Sequence, residues 1–300
     1  MKKKLNLGVN ITLPLNIFLR KKENNITESE RGKKKEIENI NIFKNFNSLQ
    51  IMFSKINLSK VDISNIKDFI KKKIYKNVYI HASYQINIGA EPILTQENLY
   101  NPGLDIFLTE IKNGINIGAD GIIVHMGKNV KKQYEADNVY NNMINFVIQI
   151  FNEIKKNNFL KKSKNFQILF ETPAGQGGEM CSDINEIINF IKNFMGLKFY
   201  KNIGLCIDTC HIFQAGYNLN DKQEIKKIHQ ILNPIKDKIK VIHLNDSFHS
   251  VGKHLDRHEQ IGKGYILTDN LIKFILPYTH LPLILETMPP YQKQIKLLNS

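Results

Sequence analysis

Six short apolar runs recur along the chain, and each carries a residue that can bind a metal ion at or next to its end. Uninterrupted apolar runs of this length are typical of strands buried on both faces of a parallel sheet. The end residues are separated by steps from 35 residues (Asp208 to His243) to 46 residues (His125 to Glu171). Each step has room for a loop, a helix and a connection back to the start of the next strand. The runs are NVYIH, GIIVH, FQILFE, IGLCID, KVIHL and LPLILE.

Two further apolar runs, 5–12 and 49–54, predict strands ahead of these six. Between the strands, isoleucine and phenylalanine recur at helical spacing, as at Ile63, Ile66 and Ile70. Alternation of strands and helices predicts a parallel sheet, and eight such strands fit an α/β fold of the TIM (β/α)8 barrel type. The predicted helices cover 62–76, 106–118, 138–157, 183–196 and 221–238.

We predict that residues 1–300 form a single domain, because neither an internal repeat nor a domain boundary interrupts the alternation. The segment 20–38, RKKENNITESERGKKKEIE, is highly charged and lacks apolar periodicity. It predicts an exposed charged loop or insertion at about 20–40, after the first strand. Its KKK run is more typical of a solvated loop than of a nuclear address.

The polar strand ends predict one ring of side chains on one face of the barrel. In such barrels the active site lies at the C-terminal ends of the strands. Burying many titratable groups together costs several kcal/mol each unless a cation compensates their charge. Imidazole and carboxylate are common ligands of zinc and similar divalent ions. The ring residues are His81, His125, Glu171, Asp208, His243 and Glu286.

Three more candidate ligands lie near the ring. Asp208 and His211 are three residues apart in CIDTCH, so a helical turn would place both on one side. Asp256 and His258 are two apart in LDRHE, so an extended loop would point both the same way. The resulting nine ligands are too many for one ion and indicate about three metals. Such a site attracts phosphate and stabilises the charge of a phosphoryl-transfer transition state.

Composition leaves the partner open. The net charge is +14, which favours a polyanion, but 39 Lys against 3 Arg also fits a coding bias towards A and T. Three cysteines provide no disulfide framework and indicate a reducing compartment. The chain lacks both an apolar stretch of ~18 residues and a clear secretory signal. We therefore expect no membrane association and an intracellular location, in the nucleus, cytoplasm or a virion.

Five segments resemble the endonuclease IV family of abasic-site DNA endonucleases. They are HASYQINIGA, ETPAGQGGEMCS, GLCIDTCHIFQAGY, HLNDSFHSVGKHLDRHEQIGKG and LILET. The resemblance runs from about residue 49 to residue 290. The patterns DTCHxFxAGY and HLNDS…DRHExIGxG are long and therefore specific.

The resemblance implies a cluster of three zinc ions, with manganese able to replace zinc at some sites. By analogy, one ion is held by His81 and His125, and Glu171 bridges it to the next. The second ion is then held by Asp208, His243 and Glu286, and the third by His211, Asp256 and His258.

The implied activity is hydrolysis of the phosphodiester 5′ to an abasic site in base excision repair. The products are a 3′-hydroxyl and a 5′-deoxyribose phosphate, with 3′-end trimming as a further activity. Glu171 and Arg257 are the predicted catalytic residues. The implied partner is double-stranded DNA that contains abasic sites, and the chain is expected to be a monomer.

The resemblance also suggests residues that contact DNA. The loop after the third strand offers Tyr84 for stacking and Gln85 as a wedge, although Tyr84 could instead be a packed loop aromatic. Arg257 suits bidentate phosphate contact, with a structural ion pair as the alternative. The full set of predicted DNA contacts is Tyr84, Gln85, Asn87, Lys128, Gln176, Lys253 and Arg257.

Two other functions stay open from the sequence. A sugar isomerase or epimerase on the same barrel would bind one or two metals and would not need His211, Asp256 and His258. A non-catalytic nucleic-acid-binding or scaffold protein would explain the charge but not nine converging ligands.

Overall fold

Eight parallel strands close into a barrel in the computed structural model of the chain, which describes residues 5–13, 46–53, 57–73, 75–94, 99–159 and 165–299. Neighbours in the barrel are consecutive in sequence, and β8 pairs with β1 to close it. The strands are β1 Leu7–Leu13, β2 Ser48–Phe53, β3 Asn77–His81, β4 Gly121–His125, β5 Gln167–Glu171, β6 Ile203–Asp208, β7 Ile239–His243 and β8 Leu283–Leu285.

This architecture confirms the predicted (β/α)8 barrel. Five of the six metal-capable residues end their strands, and Glu286 follows β8 by one residue. The charged segment predicted as a loop at about 20–40 lies outside the described residues.

The helices of the described residues pack around the barrel, and the long ones bury one apolar stripe each, whereas the short α5 is buried over its whole length. In α3, for example, Val139, Met143, Phe146 and Ile150 recur at helical spacing and are buried. The helices are α1 Lys60–Lys73, α2 Leu104–Ile117, α3 Ala136–Lys156, α4 Ile184–Lys192, α5 Thr209–Gln214, α6 Lys222–Leu232, α7 Thr268–Ile275 and α8 Tyr291–Leu298.

The helix predicted for 62–76 ends at Lys73, and two other predicted helices were too long. The helix predicted for 183–196 ends at Lys192. The one predicted for 221–238 ends at Leu232 and continues as the 3-10 helix Asn233–Lys238. Pro234 lies at the start of that 3-10 segment, where its missing N–H and its ring prevent a regular α-helix from continuing. Both errors fall on the far side of the barrel from the strand ends.

A packed layer of side chains fills the barrel directly beneath the ring. Its members lie two residues before the ring residues, because alternate residues of a strand face the same side. Beside them on β1, a Cβ added at Gly8 would lie 2.9 Å from Cβ of Ser48. The small residues Gly8 on β1 and Ser48 on β2 thus leave room for the large side chains of this layer. The buried layer comprises Tyr79, Ile123, Leu169, Cys206, Val241 and Ile284.

No helix among the described residues has both the length and the apolar character needed to cross a membrane. Cys206 belongs to the packed layer, so this cysteine serves packing.

Candidate active site

Glu171 lies at the centre of the polar strand ends. Its Oε2 is 3.3 Å from Nε2 of His81 and 3.5 Å from Nε2 of His125. Its Oε1 is 2.8 Å from Nδ1 of His243. The two oxygens of one carboxylate therefore face two different groups of side chains, and the group formed by Glu171, His81 and His125 is the first of these.

The second group surrounds Nδ1 of His243. Glu286 Oε2 is 3.1 Å from this nitrogen, and Asp208 Oδ2 is 3.7 Å from it. Together with Glu171, these residues place their ligand atoms within 4.8 Å of one another. Three carboxylates thus converge on one imidazole in the buried floor of the site.

The third group is built by the segment that follows β6. Asp208 Oδ1 accepts a hydrogen bond from the backbone N–H of His211 at 2.9 Å and so caps α5. This confirms the predicted helical turn. Nε2 of His211 lies 3.0 Å from Oδ1 of Asp256, and Nε2 of His258 lies 3.3 Å from the same oxygen.

A short hairpin, Asp246–Ser247 with His258–Glu259, carries the last of these residues. It holds Asp256 and His258 above the ring, where their side chains are 27% and 20% exposed. The side chains of Asp208 and His243 are 0% exposed. The third group therefore forms the open side of the site.

Cys210 was not predicted as part of the site. Its sulfur lies within 4.8 Å of ligand atoms of Asp208 and His258. Burial and the charge of Asp208 raise the pKa of the Cys210 thiol well above its usual range. A protonated thiol is a poor metal ligand, so we do not include Cys210 among the candidate ligands.

When no cation is present, protonated histidines balance the negative charge of the buried carboxylates. Burial raises the pKa of Asp208. Burial would also raise the pKa of Glu171, but the charges of His243 and His125 hold it well below the ordinary value. Burial opposes protonation of His211, yet the charges of Asp208 and Asp256 raise its pKa well above 6.5. A bound divalent cation would replace these protons.

Side chains and backbone carbonyls outside the nine candidates hold the candidate ligands in position. His81 Nδ1 donates to the carbonyl of Ala82 at 2.9 Å, and His211 Nδ1 donates to the carbonyl of Thr172 at 2.8 Å. Asn245 Nδ2 donates to Asp208 Oδ2 at 2.6 Å. Such outer contacts orient metal ligands and tune their basicity.

Gln50 and Asn245 are functional candidates that the sequence analysis missed. Gln50 interrupts the apolar run of β2, and Asn245 follows His243 by two residues. A polar residue inside a buried strand is the available signal for Gln50, since burying an amide is costly unless it is hydrogen-bonded. That signal does not reveal which partner the amide has.

The donor atoms fit divalent cations. Imidazole nitrogens and carboxylate oxygens are the ligands that zinc and manganese prefer, and they are grouped within 4.8 Å. Nδ1 of His125 is buried without a hydrogen-bond partner among the described residues, while its Nε2 faces Glu171. The residues are therefore suited to bind metal, and the described structure brings all nine predicted ligands together in the three predicted groups.

Tyr84 stands on the loop after β3, over the first group. Its side chain is 69% exposed, and its ring centroid is 5.5 Å from that of His81 and 5.4 Å from that of His125. The neighbouring Gln85 is also exposed. An exposed aromatic ring above the site is available for stacking, whereas a packed loop aromatic would be buried.

Three other predicted DNA contacts are engaged within the protein. Asn87 binds the backbone of Lys128 through Nδ2 (2.9 Å) and Oδ1 (2.8 Å). Lys128 Nζ lies 3.0 Å from Oε1 of Glu179. Gln176 Oε1 accepts from the backbone N–H of Asp256 at 3.0 Å. These contacts hold the loops together, and a direct contact of the three residues with DNA stays a prediction.

Arg257 and Lys253 are exposed on the open side of the site. The Arg257 guanidinium donates to the backbone carbonyl of Asp256. Within the described part of the chain it has no carboxylate partner, so the alternative of a structural ion pair gains no support there. A free guanidinium at this position can bind a phosphate.

Two comparisons with known sequences give matches over most of the chain. A family model described as a xylose isomerase-like TIM barrel matches residues 44–300. A protein of Mesomycoplasma hyopneumoniae named "Probable endonuclease 4" is 34% identical over 246 residues, which are 77% of this chain and 79% of that protein.

Two solved structures share the fold. Endonuclease IV from Thermus thermophilus matches with a TM-score of 0.67 at 17% identity, over 98% of this chain and 96% of that one. A D-tagatose 3-epimerase-like protein matches with a TM-score of 0.63 at 15% identity, over 98% and 94%. At these identities the likeness shows the fold alone. The sequence relative, rather than the fold, separates a nuclease from an epimerase.

Proposed function

Because the chain belongs to the endonuclease IV family, we propose that it is a DNA repair endonuclease that hydrolyses the phosphodiester 5′ to abasic sites. The products would be a 3′-hydroxyl and a 5′-deoxyribose phosphate, as base excision repair requires. Trimming of blocked 3′ ends would use the same site. The substrate is double-stranded DNA that contains an abasic site.

The observation that carries this proposal is the convergence of nine ligand-type side chains in three groups. We propose three zinc ions, with manganese as a substitute at some sites. His81 and His125 would hold one ion, and Asp208, His243 and Glu286 a second, with Glu171 shared between them. His211, Asp256 and His258 would hold the third ion. When bound, such ions activate water and stabilise negative charge on a phosphoryl group.

The position of the third group indicates how the substrate enters. Asp256 and His258 are partly exposed, while Asp208 and His243 are fully buried. A phosphodiester would therefore approach from the side of the third group. Arg257, between Asp256 and His258 in sequence, would bind a phosphate oxygen there and orient the scissile bond.

Tyr84 and Gln85 would act on the DNA helix itself. An abasic nucleotide can be extruded at lower cost than an intact one, because no base pair has to be broken. The exposed ring of Tyr84 over the first group would stack against the nucleotide next to the gap. Gln85, at the tip of the same loop, would occupy the space that the extruded nucleotide leaves.

The net charge of +14 supports DNA as the partner. Lysine contacts with phosphates release counterions, so binding should weaken steeply as salt increases. This part of the interaction is independent of sequence, as expected for an enzyme that recognises a lesion rather than a base sequence.

The competing function is that of a sugar isomerase or epimerase. The third group argues against it, because one or two ions suffice to polarise a small polyol. Elemental analysis separates the two functions, since about three ions per chain support the nuclease and one or two favour the isomerase.

The decisive test uses a duplex with one tetrahydrofuran analogue of an abasic site. Metal-loaded protein is expected to incise the strand 5′ to the analogue and to leave a 3′-hydroxyl that a polymerase can extend. An intact duplex of the same sequence and a chelated sample of the protein are the controls. If metal-loaded protein leaves the modified strand whole, the proposed function is wrong.

A further inference from the structure

Gln50 lies in β2 at the level of the ring but is none of the nine candidate ligands. Its side chain is fully buried, and both ends of its amide are used. Oε1 is 2.7 Å from Nε2 of His243, and Nε2 is 2.7 Å from Oε1 of Glu286. One neutral side chain thus contacts two of the residues that form the second group.

The chemistry of these three groups determines where the protons lie. The carboxylate of Glu286 can only accept, so the NH2 of Gln50 must face it. The carbonyl oxygen of Gln50 then faces His243, and Nε2 of His243 must carry the hydrogen. Nδ1 of the neutral ring is left with its lone pair, directed at Glu171 and Glu286.

This orientation distinguishes His243 from the other four histidines of the centre. His81, His125, His211 and His258 each place Nε2 closest to a carboxylate of the nine candidates, which is Glu171 for the first two and Asp256 for the last two. His243 alone of the five places Nδ1 closest to the carboxylates, at 2.8 Å from Glu171.

The support behind these histidines differs as well. His81 and His211 are fixed by backbone carbonyls, which cannot be removed by changing a side chain. The tautomer of His243 depends on the amide of Gln50. An apolar residue would fill the same space in a barrel interior at lower cost, so the buried amide calls for an explanation other than packing.

Resting on the metal centre proposed above, we propose that Gln50 is a positioning residue for the second group. It keeps His243 in the Nε2–H tautomer and holds Glu286 in place, and so sets the affinity of that group for its ion. Removal of an outer contact of this kind typically lowers metal affinity by about 10- to 100-fold.

The test compares Gln50→Met with Gln294→Met. Methionine has a similar length and removes the whole amide. Gln294 is equally buried and binds Ile261, Thr287 and Met288, none of which is a candidate ligand. Both variants lose a buried amide, but only the first should lose affinity for one ion, by about 10- to 100-fold in chelator-buffered zinc. Equal losses in the two variants would contradict a specific role.

A second readout reports the tautomer directly. In metal-free protein with 15N-labelled histidine, at a pH at which the ring is neutral, the His243 ring should show its proton on Nε2, whereas in Gln50→Met the proton should move to Nδ1, which faces Glu171. Gln50→Glu retains an acceptor for His243 but faces Glu286 with a second carboxylate. It should therefore keep the tautomer and still bind the ion more weakly.

The outcomes separate the inference from the proposed centre. A wild-type chain that binds no metal would overturn both. If wild type binds three ions, and Gln50→Met binds all three equally well with an unchanged His243 ring, the inference alone is wrong.

Discussion

The floor and the rim of the site differ in what holds their side chains. On the floor, Asp208 and His243 end barrel strands, are fully buried and are fixed by neighbouring amides. On the rim, Tyr84 and Arg257 stand on loops and are exposed. Under the proposed function, the barrel would determine the chemistry and the loops would determine how DNA is held. Changes to the floor should abolish cleavage, whereas changes to the rim should weaken binding.

The largest effect is expected for Glu171→Gln. The variant keeps the shape of the side chain but loses the charge shared by two groups, so cleavage of abasic DNA should fall by about 10³-fold or more. Affinity for the same DNA, measured without turnover, should change by about twofold or less because the rim is intact. Glu224→Gln on α6 is the matched control. A loss of affinity as large as the loss of cleavage would contradict the idea that the floor serves cleavage and the rim serves binding.

Metal removal should destabilise the floor, and the effect should depend on pH. The pKa values of His211 and His243 are raised in the metal-free protein. Their protonation therefore stabilises the metal-free fold fully below about pH 6.5, and this contribution is lost as pH rises through the raised values. Metal binding needs the unprotonated rings, so stabilisation by zinc should grow with pH.

Thermal unfolding with and without chelator at about pH 6 and pH 8.5 measures this difference. At a zinc concentration about 1,000 times the dissociation constant, binding contributes about 4 kcal/mol. A zinc effect that shrinks as pH rises would contradict the assignment of the histidines as ligands.

Much of the floor could be predicted from the sequence, because strand ends and period-two alternation are local features. His81, His125 and the other ring residues follow directly from apolar runs that end on a ligand. The partner of Gln50 could not be predicted, since His243 is 193 residues away. The engagement of Gln176 with Asp256, 80 residues apart, depends equally on the closed barrel.

Glu110 links the rim to the barrel and gives a further pH test. This buried residue of α2 accepts a hydrogen bond from the backbone N–H of Ser83 at 3.1 Å, and Ser83 directly precedes Tyr84. Burial raises the pKa of Glu110 from 4.5 to about 7. The protonated form therefore contributes stability that is fully present below pH 4.5 and is lost as pH rises through about 7.

Glu110→Gln should remove this titration. Relative to wild type, the free energy of unfolding of the variant should rise by roughly 3 kcal/mol between pH 4.5 and pH 8. Denaturant titrations at both pH values measure the change. A difference between the two proteins that is the same at both pH values would show that Glu110 does not titrate in this range.

Tyr84→Ala tests stacking by the rim. Loss of the ring should lower kcat/KM on abasic DNA by about 10- to 100-fold, as expected for ~1–3 kcal/mol of stacking. Metal content should be unchanged. Tyr134→Ala, at another partly exposed tyrosine, provides the control. If both variants behave alike, the position of Tyr84 over His81 has no special role.

The smallest effects are expected for the cations of the rim. Arg257→Ala should lower kcat/KM by about 5- to 10-fold, and Lys253→Ala by about twofold, because a guanidinium can bind phosphate with two hydrogen bonds. Each variant should lower the salt dependence of binding by about one counterion. A larger effect of Lys253 than of Arg257 would reverse the predicted roles.

The packed layer beneath the ring has a consequence for how the site is loaded. Tyr79, Leu169, Val241 and their neighbours fill the barrel beneath the ring, so in the described part of the chain ions and substrate would reach the site from its open side. DNA seated on the rim would close that side and trap whatever ions lie inside. Loading must then precede DNA binding, and an uncleavable abasic duplex should slow the extraction of metal by chelator. Bound DNA would thus keep the metal ions in the site until the product leaves.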